Sequence, residues 1–167
     1  MGNTPSTFEQ LIVDHQHLIH KICAIYGHTD ADKADLFQEI TIQLWKSFPT
    51  FEHRSRFSTW LYRVALNTAI TQKRKEKRNP ISITLSEKEM RIPDPGSTDK
   101  DEEDLLKLRS AIRQLKKVER AIIFLYLEEK SYQEIADIVG VTPKNVGVKI
   151  VRIKAKLLTL LTSGHGK

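Results

Sequence analysis

The chain of 167 residues contains few of the residues that build disulfide frameworks, tight turns or membrane spans. It has one cysteine, seven glycines and six prolines, and no apolar run approaches the roughly 20 residues that cross a bilayer. A lone cysteine, Cys23, excludes an intramolecular disulfide and favours a reducing compartment. The first seven residues lack the basic and apolar regions of a signal peptide, so we expect a cytoplasmic protein without membrane insertion.

What the chain does contain predicts an all-α fold with a polyanionic partner. Scarce glycine and proline leave few sites for β-hairpins, and 40% hydrophobic with 29% charged residues is typical of globular proteins. Lys and Arg exceed Asp and Glu by 27 to 21, which gives a net charge of +6. This excess is compatible with nucleic acid but does not establish it. At this length we expect two small helical domains.

Helical periodicity predicts a bundle in the first half of the chain. The first helix runs from Phe8 to about Tyr26 and ends at Gly27, and the second runs from about Ala34 to Ser47, before Pro49. The apolar face of the second helix comprises Phe37, Ile40, Thr41, Leu44 and Phe48. A third helix follows a short loop and begins at Phe57.

The helix that begins at Phe57 carries two stripes of different chemistry. One stripe is apolar and faces a core; it comprises Phe57, Leu61, Val64, Ala65 and Thr68. The other alternates guanidinium, indole and amide groups; it comprises Arg56, Trp60, Arg63, Asn67 and Arg74. Cations neutralise phosphate and a flat ring stacks on an unpaired base, so this stripe favours unpaired nucleic acid. Trp60 lies between the stripes, and core packing remains its alternative role.

Periodicity disappears between about residues 80 and 104. Four helix-breaking residues, Pro80, Pro93, Pro95 and Gly96, fall there, and acids outnumber bases by eight to three. We therefore predict a helical bundle over residues 1–79, a flexible acidic linker over 80–104 and a second helical domain over 105–167.

The second domain has the order of elements typical of a helix-turn-helix. Two apolar stripes open it: Leu105, Leu108, Ile112 and Leu115, then Val118, Ile122, Leu125 and Tyr126. Ser131 and Glu134 form a capping box for a short helix, Gly140 suits a left-handed turn, and Thr142 caps a second helix that begins at Pro143. Residues of the short helix expected to face inward are Tyr132, Ile135, Ala136 and Val139.

The second helix of this motif has a buried and an exposed stripe. Its buried stripe comprises Val146, Ile150, Ile153, Leu157 and Leu160. Its opposite side presents Lys144, Val148, Val151, Arg152 and Ala155. A helix-turn-helix places such a face in the major groove of DNA.

Taken together and in order, three segments resemble a bacterial RNA polymerase sigma factor. They are Asp35-Leu-Phe-Gln-Glu-Ile-Thr-Ile-Gln-Leu-Trp45, Phe57-Ser-Thr-Trp-Leu-Tyr-Arg-Val-Ala-Leu-Asn67 and Tyr132-Gln-Glu-Ile-Ala136. The resemblance runs from about Phe8 to Leu161, and the missing third domain is typical of the extracytoplasmic-function (ECF) group of the sigma-70 family. It implies a non-enzymatic protein without cofactor, metal or small-molecule substrate. Such a protein directs promoter-specific initiation by reading −35 and −10 elements and stabilising the melted strand.

The resemblance also implies three sets of site residues and their partners. Contacts to the clamp helices of the largest polymerase subunit would come from Asp35, Gln38, Glu39, Gln43 and Trp45. Contacts to the melted −10 element would come from Arg54, Arg56, Trp60, Arg63, Asn67, Lys73 and Arg74. Contacts to −35 duplex would come from Lys144, Asn145, Val148, Lys149 and Arg152, in a domain that also meets the polymerase flap. Family members are commonly held inactive by an anti-sigma factor between the two domains.

The chain departs from the family pattern at one place. Two other classes of protein are also alternatives. Gly147 and Val148 stand where the family commonly carries basic or small hydroxyl residues, which leaves the −35 contact undefined. A conventional helix-turn-helix regulator with an N-terminal sensing or dimerisation domain shares the second domain. A metal protein would have to use ligands from His15, His17, His20, Cys23 and His28, which lack a partner cluster at zinc spacing elsewhere.

Overall fold

The computed structural model describes residues 7–72 and 98–163, and these ranges are all-α, as the sequence predicts. Seven α-helices and one short 3-10 helix, Phe48–Thr50, lie in them, with no β-strand. The helices are α1 (Phe8–Tyr26), α2 (Asp30–Ser47), α3 (Phe57–Thr71), α4 (Asp99–Arg113), α5 (Lys117–Leu127), α6 (Tyr132–Val139) and α7 (Pro143–Ser163). None of these helices is long and apolar enough to cross a membrane. Outside the described residues lie Lys73, Arg74 and most of the predicted linker.

Helices α1, α2 and α3 pack on one another as the predicted N-terminal bundle. The side chains that meet at its centre are fully buried: Ile19, Ile22, Ile40, Leu44, Leu61 and Ala65. Burying each of the larger aliphatic side chains contributes about 1.5–3 kcal/mol, so this layer supplies much of the bundle's stability.

The loop between α1 and α2 differs in detail from the sequence expectation. α2 begins at Asp30 rather than near Ala34, because Thr29 caps the helix and Asp32 returns its side chain to the Thr29 N–H. Gly27 ends α1 as predicted, but with extended rather than left-handed backbone. A Cβ there would lie 2.6 Å from Lys33 Cγ and 2.9 Å from the Cys23 carbonyl oxygen, so the glycine allows a close approach.

The acidic segment before Leu105 is partly helical, which corrects the expectation of a linker that continues to Asp104. α4 starts at Asp99, with Thr98 as its N-cap and Asp101 completing a capping box. Acidic residues in a first turn interact favourably with the positive end of the helix dipole. The same carboxylates that suggest a solvated linker therefore stabilise a helix start. Leu105 and Val118 were each placed on an apolar stripe, but they are 48% and 39% exposed.

Helices α6 and α7 form the predicted helix-turn-helix. Ser131 and Glu134 make a reciprocal capping box, and Gly140 adopts φ 80°, ψ 39° in the turn. Thr142 Oγ1 accepts from the Asn145 N–H at the start of α7. Tyr132 corrects one prediction: its side chain is 44% exposed, and Ile138 is the residue that is buried instead.

The two halves of the molecule also pack against each other. α3 contacts α5 and α6, and α1 contacts α4. The contact buries a third face of α3, formed by Tyr62, Leu66 and Ala69, which the two predicted stripes do not include.

Candidate nucleic-acid interface

The exposed strip of α3 is narrow and polar. Arg56, Arg63 and Asn67 are exposed on it, while the neighbouring faces of the helix are buried against α1 and α2 on one side and α5 and α6 on the other. Three of the predicted −10 residues are thus brought onto one solvent-facing side of α3. Burial on both flanks fixes the helix, so the strip is presented on a rigid support.

Trp60 corrects the composition of this strip. Its side chain is 8% exposed, and its ring lies among three phenylalanines, with centroids 5.1 Å from Phe51, 5.4 Å from Phe57 and 6.2 Å from Phe48. Ring pairs at these separations are typical of aromatic core packing. The indole therefore supports the strip from inside, and its faces are not available to stack on a base in this conformation.

The loop before α3 places charged side chains beside the strip. Arg54 is exposed and its Nε lies 2.7 Å from Glu52 Oε2. His53 has positive φ, 55°, and its ring centroid lies 4.4 Å from that of Phe51. Left-handed backbone is uncommon outside glycine, although His is among the residues enriched there, and it sharpens the turn that leads into α3.

One face of α2 carries the residues predicted to dock on polymerase. Asp35 and Gln38 are exposed, and Glu39 accepts a 2.9 Å hydrogen bond from the Gln43 amide. Trp45 is 58% exposed and packs its ring edge-on against Phe8, with centroids 5.1 Å apart. Ile42 is also exposed on this face and was missed by sequence reasoning. Its signal was an aliphatic residue lying off the buried stripe.

The outer face of α7 holds the predicted −35 residues. Lys144, Asn145, Val148 and Arg152 are exposed and Lys149 is half-buried, while the opposite stripe is buried in the domain. The cationic side chains among these residues have no hydrogen bond or ion pair to another described residue.

Two other lysines of α7 do interact with neighbouring side chains. Lys154 donates a 2.8 Å hydrogen bond to Tyr126 Oη and lies 4.3 Å from the centre of its ring, and Lys156 forms a 2.7 Å ion pair with Glu119. The charges available for a ligand are therefore concentrated toward the first half of α7.

Gly147 has a packing role on the recognition helix. A Cβ at this position would lie 3.3 Å from Tyr132 Cε2, so the absent side chain leaves room for the Tyr132 ring. This contact gives a packing reason for a glycine at position 147, where the family commonly carries basic or small hydroxyl residues. It places a phenol beside α7.

The capping carboxylate of α6 links the two halves electrostatically. The Ser131 N–H donates to Glu134 at 2.8 Å and is the main reason that the pKa of this carboxyl lies below its usual range. The positive charges of Lys130 and Arg56 act in the same direction. Arg56 belongs to the exposed strip of α3, so the start of the helix-turn-helix lies near that strip.

Side chains of α1 that were considered as metal ligands instead contact an aromatic ring or the backbone, or are buried. His20 stacks on Phe37 with ring centroids 4.6 Å apart, and His15 Nδ1 lies 2.8 Å from the Leu11 carbonyl oxygen. Burial raises the pKa of Cys23 to about 11, which keeps the thiol protonated near neutral pH. Within residues 7–72 and 98–163, no three His, Cys, Asp or Glu side chains are grouped as a metal site.

Comparison with known proteins assigns both halves to one family. The profile Sigma-70 region 2 matches residues 11–79, and the profile Sigma-70, region 4 matches residues 105–157, which together cover more than half of the chain. The chain belongs to the sigma-70 family. It is a sigma factor, which binds core RNA polymerase and directs it to promoters.

Relatives of this sigma factor include members of the ECF group. It is 26% identical over 164 residues to RNA polymerase sigma factor NccH of Alcaligenes xylosoxydans xylosoxydans, covering 95% of this chain and 88% of that one. It is 28% identical over 158 residues to the ECF RNA polymerase sigma-E factor of Escherichia coli K12, covering 88% and 82%. Both relatives are sigma factors, and the second is named as a member of the ECF group.

Two solved structures share its fold. CnrH in complex with the cytosolic domain of CnrY has a TM-score of 0.65 at 23% identity, covering 93% of this chain and 88% of that one. The sigma factor RpoE in complex with the anti-sigma factor NepR from Bartonella quintana has a TM-score of 0.71 at 21% identity, covering 93% and 96%.

Proposed function

We propose that this sigma factor divides promoter recognition between α3, which holds the opened −10 strand, and α7, which reads the −35 duplex. The observation that carries the proposal is that each helix presents exposed cationic and amide side chains on one face and is buried on another. The proposed first domain remains residues 1–79, and because α4 begins at Asp99 the second is proposed to begin near residue 98 in place of 105 and to run to 167; the two family matches lie within these bounds.

On α3, the roles follow from charge and position. Arg54, Arg56 and Arg63 neutralise phosphates of the single strand, and Asn67 offers an amide that both donates and accepts hydrogen bonds with a base edge. Trp60 acts indirectly by supporting the loop and the first turn of the helix. Lys73 and Arg74 extend the phosphate contact; they lie outside the described residues, and their role rests on sequence alone.

On α7, polar and apolar contacts share the readout. Lys144, Asn145, Lys149 and Arg152 supply hydrogen bonds to base edges and phosphates. Val148 and the strongly exposed Val151 fit the C5-methyl groups of thymine, which interrupt the polar surface of the major groove. This composition favours a −35 element in which the valines contact thymines and the cationic side chains contact neighbouring guanines or phosphates.

The exposed face of α2 is the proposed docking surface for core polymerase. Asp35 and Glu39 complement a basic coiled coil, and Gln38 and Gln43 add amides. Ile42 and Trp45 supply the apolar centre that a stable interface needs, because aromatic anchors carry much of the binding energy. The C-terminal domain contacts the polymerase flap in the same complex.

We further propose that the protein acts in the cytoplasm, has no enzymatic activity of its own and is controlled by an anti-sigma factor. The titles of the two similar structures support this last point, since both describe complexes with another protein and one names it an anti-sigma factor.

Permanganate footprinting of a promoter complex tests the role assigned to α3. Arg63→Ala should reduce thymine reactivity in the −10 region of duplex DNA about tenfold, since one charge-assisted contact to phosphate or base contributes about 1–3 kcal/mol. Core polymerase binding and transcription from a pre-melted template should change less than twofold, because neither requires strand capture.

Arg109→Ala provides the matched control, since this arginine is exposed on α4, away from the strip. It should leave the footprint unchanged. Equal reactivity of the two variants on duplex DNA would show that the strip of α3 does not hold the strand.

A further inference from the structure

Tyr132 is an exposed aromatic residue that none of the three proposed sets of contact residues includes. It is the first residue of α6, and its side chain is 44% exposed. Within residues 7–72 and 98–163 its hydroxyl group has no hydrogen-bond partner. Tyrosine hydroxyls usually find a partner when they are buried, and packing then explains them. An exposed, unpaired phenol beside a recognition helix is instead available to a ligand.

The ring of Tyr132 lies at the edge of the exposed face of α7. Its Cε2 and Cδ2 atoms are 3.3 and 3.7 Å from the position of a Cβ on residue 147. Residue 147 follows Lys144 by three positions and precedes Val151 by four, so it shares a side of the helix with both. Lys144 is exposed, and Val151 is 69% exposed. The ring therefore borders the face that carries the proposed −35 contacts.

Two features hold the ring in this place. Ser131 and Glu134 form a reciprocal capping box, with hydrogen bonds of 2.8 and 3.1 Å, which fixes the backbone on either side of Tyr132. α6 and α7 also pack on each other across the Gly140 turn. A group that is held in position before its ligand arrives loses little conformational entropy on binding.

A phenol at this position suits a phosphate oxygen better than a base edge. In a helix-turn-helix the second helix enters the major groove while the first crosses the sugar-phosphate backbone, and Tyr132 belongs to the first. Tyrosine side chains are among the donors that contact DNA phosphates. A hydrogen bond to a charged acceptor is also stronger than one between neutral groups, which favours the phosphate as acceptor.

Gly147 leaves this side of α7 without a side chain between Lys144 and Val151. The Tyr132 ring approaches from α6 to 3.3 Å of the position where a Cβ would lie. The donor at this place on the DNA-facing surface is therefore supplied by the neighbouring helix, because residue 147 has none to offer.

We propose that Tyr132 is a DNA-binding residue whose hydroxyl group donates a hydrogen bond to a phosphate oxygen of the −35 duplex, beside Gly147. The contact adds affinity that does not depend on base sequence and fixes the register of α7 in the major groove. This assignment rests on the proposed role of α7 in reading the −35 element.

Tyr132→Phe tests the hydroxyl group, because the ring and its contact with Gly147 are retained. Binding of the complex with core polymerase to a duplex promoter should weaken about fivefold, the size expected for one lost hydrogen bond. The loss should be the same on promoters with different −35 bases. The urea midpoint of unfolding should not change, because the hydroxyl group has no partner within the described ranges.

Tyr126→Phe is the matched control. The Tyr126 hydroxyl already accepts a 2.8 Å hydrogen bond from Lys154, so its removal should change promoter binding less than twofold. Equal losses for Tyr126→Phe and Tyr132→Phe would overturn the proposal.

Salt dependence distinguishes a neutral donor from a cation. A phenol displaces no counterion, so Tyr132→Phe should leave the slope of log K against log salt concentration unchanged. Lys144→Ala should reduce the magnitude of that slope by about one. A reduction of the same size for Tyr132→Phe would show that the substitution acts by displacing a cationic side chain, and the direct contact would be wrong.

Methylphosphonate substitution identifies the acceptor. Phosphates of the −35 duplex are replaced one at a time by neutral methylphosphonates, and binding of the unmodified protein is compared with that of Tyr132→Phe. At one position the fivefold difference should shrink to less than twofold, because the contact is then absent from both complexes. A difference that persists at every position, or a loss confined to particular −35 sequences, would overturn the phosphate contact.

Arg152→Ala separates this proposal from the one on which it rests. If Arg152→Ala and Lys144→Ala weaken binding but Tyr132→Phe does not, the reading role of α7 stands and the Tyr132 contact is wrong. If none of the three variants weakens binding, the proposed role of α7 is wrong as well.

Discussion

Gly147 and Tyr132 show how one absent side chain shapes the surface that meets DNA. Glycine within a helix costs about 1 kcal/mol relative to alanine, so a functional or packing reason is expected for it. The Tyr132 ring lies 3.3 Å from the position of a Cβ on residue 147, so a methyl group there would require a small shift of the ring. The glycine therefore lowers the stability of the helix, but it leaves room for an aromatic ring beside the surface that meets DNA.

A double-mutant cycle measures the coupling energy between Gly147 and Tyr132. In a Tyr132→Ser background, Gly147→Ala should raise the free energy of unfolding by about 0.5–1 kcal/mol through helix propensity alone. With Tyr132 present, the gain should be smaller by at least about 0.5 kcal/mol, because the ring must move to accept the methyl group. Urea unfolding of the four proteins gives the coupling energy, and a coupling of zero would remove the packing explanation.

We predict that protonation of the Glu134 carboxylate lowers the stability of the fold at acid pH. Its pKa in the folded state lies below the usual value of 4.5, mainly because the Ser131 N–H donates to it. The stabilisation is therefore complete above about pH 4.5 and is lost as the pH falls through the lower folded-state pKa. Glu134→Gln should lower the free energy of unfolding by about 0.3–1 kcal/mol at neutral pH.

Thermal unfolding of this variant from pH 3 to 7 should show a difference from the unmodified protein that shrinks toward acid pH. Glu129→Gln serves as the control, since that side chain has no partner in the described part of the chain and should give no such trend. A Glu134→Gln difference that is constant across this range would contradict the role assigned to the charge.

Among the elements, α3 shows what periodicity can and cannot predict. The apolar stripe through Leu61 and Ala65 and the exposed position of Arg63 and Asn67 were predictable, because one helix face must meet a core and another must meet water. The face formed by Tyr62 and its neighbours was not, because its partner is about 60 residues away in the sequence. Local pattern shows that a residue is apolar but does not show which distant surface covers it.

The same limit explains why the role of Trp60 was left open and why Tyr132 was misplaced. Both are amphipathic aromatics at the edge of a stripe, where a rotation of a few tens of degrees decides between core and surface. Trp60 packs against the loop residue Phe51, and the Tyr132 ring lies against Gly147 of the neighbouring helix. Helix caps were read more reliably, since the Ser131 and Glu134 box and the Gly140 turn depend on residues that are adjacent in sequence.

We predict that substitutions of two cationic residues of α7 affect DNA binding to different extents. Arg152→Ala should weaken binding to −35 duplex by about tenfold or more, since the guanidinium has no partner in the described residues and is available to a base or phosphate. Lys154→Ala should have a smaller effect, because that ammonium group already interacts with Tyr126. Electrophoretic mobility shifts with holoenzyme on duplex promoters measure both, and equal losses would contradict the assignment of the reading face.

For the whole molecule, two small helical units are joined by a specific contact as well as by the chain. Each half has its own buried core, while the Tyr62–Phe124 ring contact and the Lys21–Glu128 ion pair connect them. The face of α2 proposed to meet polymerase is exposed in this arrangement.

The central claim is that this chain gives core RNA polymerase a promoter specificity the enzyme lacks by itself. In vitro transcription with purified core polymerase and a library of promoter fragments tests it most directly. We predict transcripts with discrete start sites, dependent on the added chain and on sequences near both −10 and −35. Binding of the folded protein to duplex DNA without polymerase, combined with no sequence-specific transcript from any fragment, would contradict the account and favour a conventional helix-turn-helix regulator.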